Sequence, residues 1–122
     1  MGRPHRDFVA GGFYHVSTRG NDRRTIYQDV DDRHVFVGIL DRVRKRYGWR
    51  IHAACLMGNH YHLVVETPRP NLSEGMRDLN GDYARGFNHR HGSRDHVFGR
   101  RFWAQPIESD EQLTITLDYV VH

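Results

Sequence analysis

Two histidines separated by one residue, His60 and His62, are the pair in this sequence best placed to do chemistry. Side chains alternate between the faces of a β-strand, so residues i and i+2 share one side, roughly 6 to 7 Å apart. Both imidazoles could then converge on one cation, while Tyr61 between them points to the opposite face. Leu63 and Val65 would share the side of Tyr61, and Val64 and Glu66 the side of the histidines. Surface or structural histidine pairs show the same spacing, so both readings stand at this point. Cys55 is the one cysteine, which excludes a thiolate site. Any metal would be held by imidazole and oxygen, a donor set suited to Mg2+, Mn2+ or Zn2+.

A second feature lies near the end of the chain. In a helix starting near Ser109, Leu113, Leu117, Val120 and Val121 fall within one arc, while Tyr119 projects about 100° or more from its centre. Tyr119 is therefore not a simple member of a buried stripe. Tyr47 and Tyr83, by contrast, sit on apolar stripes and read as core. Basic residues gather in two places: Arg19, Arg23 and Arg24 in one, and Arg90, His91, Arg94, Arg100 and Arg101 in the other, interleaved with Phe98, Phe102 and Trp103. Such a mixture suits a nucleic-acid strand, whose phosphates the cations track and whose bases the rings can stack on. For Phe102 and Trp103, anchoring of the loop to the core is the stronger expectation.

The 122 residues carry 18 Lys+Arg against 15 Asp+Glu, a formal net charge of +3. All but Lys45 of those cations are arginine, whose planar fork suits bidentate phosphate contacts, although codon usage in a GC-rich genome explains the excess equally well. The length fits one domain able to bury a core without disulfide or metal staples. With no long apolar run and no signal peptide, the expectation is the bacterial cytosol or nucleoid and no membrane.

The elements that must position these residues follow from periodicity. Phe13 to Arg19 is rich in β-branched and aromatic residues and reads as a strand closed by Gly20-Asn21. Asp29, Asp31 and Asp32 open a helix whose Phe36, Ile39, Leu40, Val43 and Tyr47 keep the helical period up to Gly48. Alternation then predicts a strand from Trp49 to Met57, with Ile51, Ala53, Cys55 and Met57 on one side. The Gly58-Asn59 turn joins it to a strand from His60 to Glu66. A second helix from about Leu72 to Arg90 carries the stripe Leu72, Met76, Leu79, Tyr83, Phe87, against the tendency of Gly75, Gly81 and Gly86. Phe102 to Ile107 reads as an edge strand because of Pro106, and Ser109 with Gln112 resembles a capping box. The order βαββαβ plus a final helix predicts an α+β, ferredoxin-like (split βαβ) fold, with an antiparallel sheet, two helices on one face and the other face free for a site.

Five segments, GGFYHVSTRGN, MGNHYHLVVET, YARGFNHRH, FGRRFW and LDYVVH, run in the same order as in a known family. The sequence resembles the HUH single-strand endonucleases with one catalytic tyrosine, the insertion-sequence transposases and REP-associated tyrosine transposases. The resemblance implies the same ferredoxin-like palm, a divalent metal (Mg2+ or Mn2+) bound by His60 and His62, and Tyr119 as nucleophile. A phenol is a weak nucleophile until it is deprotonated and its target polarised, and a hard cation on the scissile phosphate supplies that polarisation. The implied reaction cuts and rejoins single-stranded DNA at hairpin-bearing ends, through a 5′-phosphotyrosine link and a free 3′-hydroxyl.

Two departures from the family pattern bear on this reading. Gly58 stands where relatives commonly have proline. The family's third metal ligand, one helical turn after the tyrosine, would fall just past His122, so that residues 1–122 read as a single domain truncated at its C-terminus. His122 or Glu66 would have to substitute. The competing expectation is a truncated or domesticated relative that binds structured single-stranded DNA without efficient cleavage. An RNA-binding ferredoxin-like domain lacks support, since no strand carries the aromatic-rich basic pattern of that class. Swapped tyrosine helices in relatives leave a homodimer open, with Tyr119 acting in its own subunit or in a partner.

Overall fold

The structure, a computed structural model, describes residues 8–99 and 101–121. Its elements follow in the order β1 (Gly12–Arg19), α1 (Val30–Tyr47), β2 (Arg50–Leu56), β3 (His60–Thr67), α2 (Leu72–His91), β4 (Trp103–Ile107) and α3 (Asp110–Val121). A 3-10 turn at Asn21–Arg23, which no periodicity signalled, follows β1. The sheet order is β2-β3-β1-β4 and every pairing is antiparallel. This is the split βαβ arrangement, with β4 and its Pro106 at an edge as expected.

Helices α1 and α2 cover one face. Phe36, Ile39, Leu40 and Val43 of α1, and Leu72, Met76, Leu79, Tyr83 and Phe87 of α2, bury against Tyr14 and Val16 of β1 and Tyr61, Leu63 and Val65 of β3. Helix α1 starts where the Asp29 side chain accepts the Asp32 N–H at 2.8 Å and ends at Gly48 in the left-handed conformation, the two boundaries its sequence predicts. Ser109 likewise caps α3 by accepting the Gln112 N–H at 3.0 Å. Gly75 has a packing reason: a Cβ there would lie 2.1 Å from the Trp49 ring, which is 2 % exposed.

Two expectations about the sheet are corrected. Alternation along β2 is broken by a bulge between Ile51 and Ala53, so that Ile51 pairs with Val65 and packs on the core, whereas Ala53 and Cys55 pair with Val64 and His62. The extra residue reverses the faces, and a regular alternation cannot anticipate it. Nor is the second face wholly free, because α3 packs across β2 and β3 there. It does so through the partly buried Leu113, Thr116 and Leu117 and the buried Val120, while Val121, expected in the same arc, is exposed.

Gly75→Ala would force the Trp49 ring or α2 to move. A loss of about 1 to 3 kcal/mol in unfolding free energy is expected by urea denaturation, despite the gain in helix propensity.

Candidate functional site

On the face that α3 half covers, the register aligns His15, Ser17 and Arg19 of β1 with Val64, His62 and His60 of β3. Trp103 of β4 pairs with Ser17 and extends the same row. The two β3 imidazoles are close, with ring centroids 4.9 Å apart, and the intervening Tyr61 is fully buried on the opposite face. Its hydroxyl accepts from Thr18 Oγ1 at 2.9 Å and donates to Asn80 Oδ1, and Asn80 Nδ2 donates back to Thr18 at 3.2 Å. That closed ring ties β1, β3 and α2 together and fixes the strand rotation that turns His60 and His62 outward.

Each histidine has a partner on one ring nitrogen. His60 Nδ1 lies 2.7 Å from Asn59 Oδ1, so Nδ1 carries the proton and Nε2 keeps its lone pair. His62 Nδ1 lies 3.0 Å from His15 Nε2, an arrangement that leaves His62 Nε2 outward when Nδ1 is the donor. Desolvation lowers the pKa of His15 and His60, the latter aided by Arg19; the pKa of His62 is pushed down to about 4 by burial, His15, His60 and Arg19. Neutral imidazoles whose second nitrogen is tied to an oxygen or a ring nitrogen are the state in which histidine coordinates a metal. His60 and His62 thus offer two imidazole donors on this face of the sheet.

Tyr119 stands beside His62 and His15 within the same chain. Its ring centroid is 6.0 Å from that of His62 and 5.9 Å from that of His15, and it is 65 % exposed. Both neighbours and Tyr119 border a cleft of about 630 Å3 that is also lined by Arg19, Asn21, Asp22, Arg23 and Arg101. Gly20 sits in the same lining, where a Cβ would meet the Arg24 carbonyl oxygen at 2.3 Å.

The structure thus brings His60, His62, Tyr119, Arg19, Arg23 and Arg101 to one region and sends other candidates elsewhere. Arg24 donates to the His96 carbonyl at 3.2 Å and lies over Phe87. Arg90 is committed to Asp32, 3.0 Å away and 1 % exposed, which also lies 2.8 Å from His91 Nε2 and accepts the Gln28 N–H. Burial opposes ionisation of Asp32, but Gln28, His91 and Arg90 outweigh it and hold its carboxyl below the usual range. Asp29, Asp32 and His91 bring ligand atoms within 4.8 Å of one another, and within this group Asp32 pairs with Arg90 and His91, tying α1 to α2. Arg94 is exposed on the loop after α2, while Arg100 and His122 lie outside the described residues. Glu66 sits four residues beyond His62, 3.0 Å from His52 and 3.2 Å from Arg50, and so does not join the histidine pair.

Sequence reasoning missed His15 and Ser17, although alternation along β1 would have put both on the side of Arg19. It also misjudged Trp103. Phe102 does pack on the core, but Trp103 is 49 % exposed, edge-on to His15 at 5.0 Å. Trp103 opens β4 on the face shared with His15, away from the core-packed Phe102 that precedes the strand.

A histidine pair on the open face of an antiparallel sheet, beneath a tyrosine-bearing helix, marks an α+β protein of the tyrosine-transposase architecture. The family model described as transposase IS200 like matches residues 9–122, and the chain belongs to that family. Among solved structures, a REP-associated tyrosine transposase bound to a REP hairpin shares the fold with a TM-score of 0.79 and 19 % identity, over 98 % of this chain and 70 % of that one. A candidate transposase from Deinococcus radiodurans R1 aligns with a TM-score of 0.65 and 17 % identity, over 99 % of this chain and 95 % of that one. No curated protein matches the chain in sequence. Among the described residues no helix is long and apolar enough to cross a membrane.

The depressed histidines make stability depend on pH in a defined direction. Unfolded His62 takes a proton near its ordinary value of 6.5 and the folded residue only near 4, so the metal-free protein loses stability as pH falls through that interval. Denaturation midpoints measured from pH 7 to 4 should fall. The slope should be shallower in His62→Gln, and an NMR titration of His62 with a midpoint near 6.5 would contradict the assignment.

Proposed function

We propose that the protein is a metal-dependent DNA strand transferase that cuts and rejoins single-stranded DNA at hairpin-bearing ends, with Tyr119 as nucleophile. The observation that carries this reading is the placement of Tyr119, on a helix packed across the second sheet face, beside His62 and in the lining of a cleft that also holds Arg19, Arg23 and Arg101. Family membership supports a transposase reaction, and the hairpin in the related structure supports the class of DNA.

His60 and His62 are the residues that would hold a Mg2+ or Mn2+ ion through their outward Nε2 atoms. Such an ion, when bound, neutralises charge on the scissile phosphate and helps the leaving oxygen depart. The chain's own residues do the positioning. Arg19, Arg23 and Arg101 hold the phosphates of the strand along the cleft wall. His15 keeps the His62 ring oriented, and α3 presents the Tyr119 hydroxyl from above. Attack forms the bond from Tyr119 Oη to phosphorus and breaks the bond from phosphorus to the 3′-oxygen. The phenol loses its proton and the departing oxygen gains one, leaving a 5′-phosphotyrosine and a free 3′-hydroxyl. The phosphodiester energy is retained in the tyrosyl ester, so rejoining to a second 3′-hydroxyl needs no nucleotide cofactor.

Incubation with Mn2+ and a hairpin-bearing oligonucleotide labelled at its 3′ end should yield a covalent protein–DNA adduct, absent in Tyr119→Phe and after chelation. His60→Ala should abolish the adduct while hairpin affinity, read by gel shift, stays within about threefold. An adduct that survives in Tyr119→Phe would remove Tyr119 from the reaction. Hairpin binding without any adduct in the unaltered protein would assign it instead to DNA binding without cleavage. Arg23→Ala should weaken binding and lower the slope of log affinity against log salt by about 1; an unchanged slope takes Arg23 off the DNA path.

A further inference from the structure

Trp103 has no role in the chemistry above, yet it is half exposed in the wall of the same cleft. Its chain neighbours Phe102 and Ala104 pack on the core, whereas Trp103, a larger side chain, is turned outward. The ring lies edge-on to His15, whose centroid is 5.0 Å away on one side and 5.9 Å from Tyr119 on the other. Trp103 is therefore one ring away from the proposed nucleophile.

The turn Asn21–Arg23, which lines the same cleft, holds Asp22 and Arg23 at φ values of 51° and 60°, the left-handed region that non-glycine residues rarely adopt. The turn is pinned there: Gly20 N–H donates to the Asn59 carbonyl at 2.8 Å, Asn21 N–H to Val97 at 2.8 Å and Gly99 N–H to Arg19 at 3.1 Å. Strain maintained by surrounding bonds is common where a loop must present groups to a ligand. The result is a cleft of about 630 Å3 lined by one indole and by the guanidinium groups of Arg19, Arg23 and Arg101. This falls in the size range of small-ligand pockets.

We propose that this cleft takes one unpaired nucleotide next to the scissile phosphate, with its base stacked on Trp103 and its flanking phosphates held by Arg19, Arg23 and Arg101. The inference rests on the DNA-processing reading above and adds the reason for single-strand selectivity. A base within a duplex has both faces covered by its neighbours, whereas an unpaired one offers a face to the indole. Duplex DNA satisfies the arginines but not Trp103.

The chain contains two tryptophans. Trp49 is 2 % exposed and donates to Asn71 at 3.0 Å, so ligand-dependent quenching reports Trp103. The test uses Tyr119→Phe protein with chelator, which separates binding from cleavage. A hairpin with a single-stranded flank should quench the fluorescence, and a fully paired duplex should not. An abasic site at one flanking position should abolish the quench and weaken binding on the order of tenfold. Trp103→Ala should lose affinity by a similar factor, and Trp103→Phe should keep most of it. Equal affinity for the abasic and intact flanks, together with unchanged binding by Trp103→Ala, overturns the stacking assignment while leaving the cleavage reading intact. Absence of binding to any of these oligonucleotides overturns both.

Discussion

The ring of hydrogen bonds among Thr18, Tyr61 and Asn80 is the contact on which the site depends. Tyr61 carries a bulky ring into the core and a hydroxyl that needs partners there, and the two requirements together allow one rotation of β3. Because neighbouring residues on a strand face opposite ways, burying Tyr61 and presenting His60 and His62 are a single event. A one-residue slip would place both histidines in the core and lose the ring, so register is specified by polar satisfaction as well as by hydrophobic pattern.

The second face of the sheet is built for partial cover. Helix α3 seals the β2 and β3 side through Leu113, Leu117 and Val120 and leaves the β1 and β4 side open, where Arg19, Trp103 and the Asn21–Arg23 turn stand. This division leaves His15, His60 and His62 partly buried, which lowers their pKa values, and leaves the neighbouring cleft open. The Asp32 network does a different job: it locks the first turn of α1 to the last turn of α2 and uses up the charge of Arg90. Basic residues close together in sequence are thus divided between holding the fold and lining the cleft.

Much of this was legible beforehand. The caps of α1 and α3, the stripes of both long helices, the hairpin at Gly58-Asn59 and the edge position of β4 follow from local rules, which need no knowledge of distant residues. The His60/His62 face and the departure of Tyr119 from the apolar arc were legible for the same reason. Helix α2 formed despite Gly75 because the missing side chain is filled by Trp49, a long-range fact that local propensity cannot contain.

Residue order by itself determined the main helices and strands, their sequence and the shared face of His60 and His62, because these depend on periods of two and 3.6 residues. Tertiary structure alone decided which groups meet. Only pairing of β1 with β3 puts His15 against His62, and only the path of α3 brings Tyr119 over them. Folding also separates Arg24 and Arg90 from Arg19, Arg23 and Arg101, and an unpredicted bulge sets which face Ile51 joins. These outcomes turn on contacts between residues tens of positions apart, where packing and charge pairing, not local spacing, fix the result.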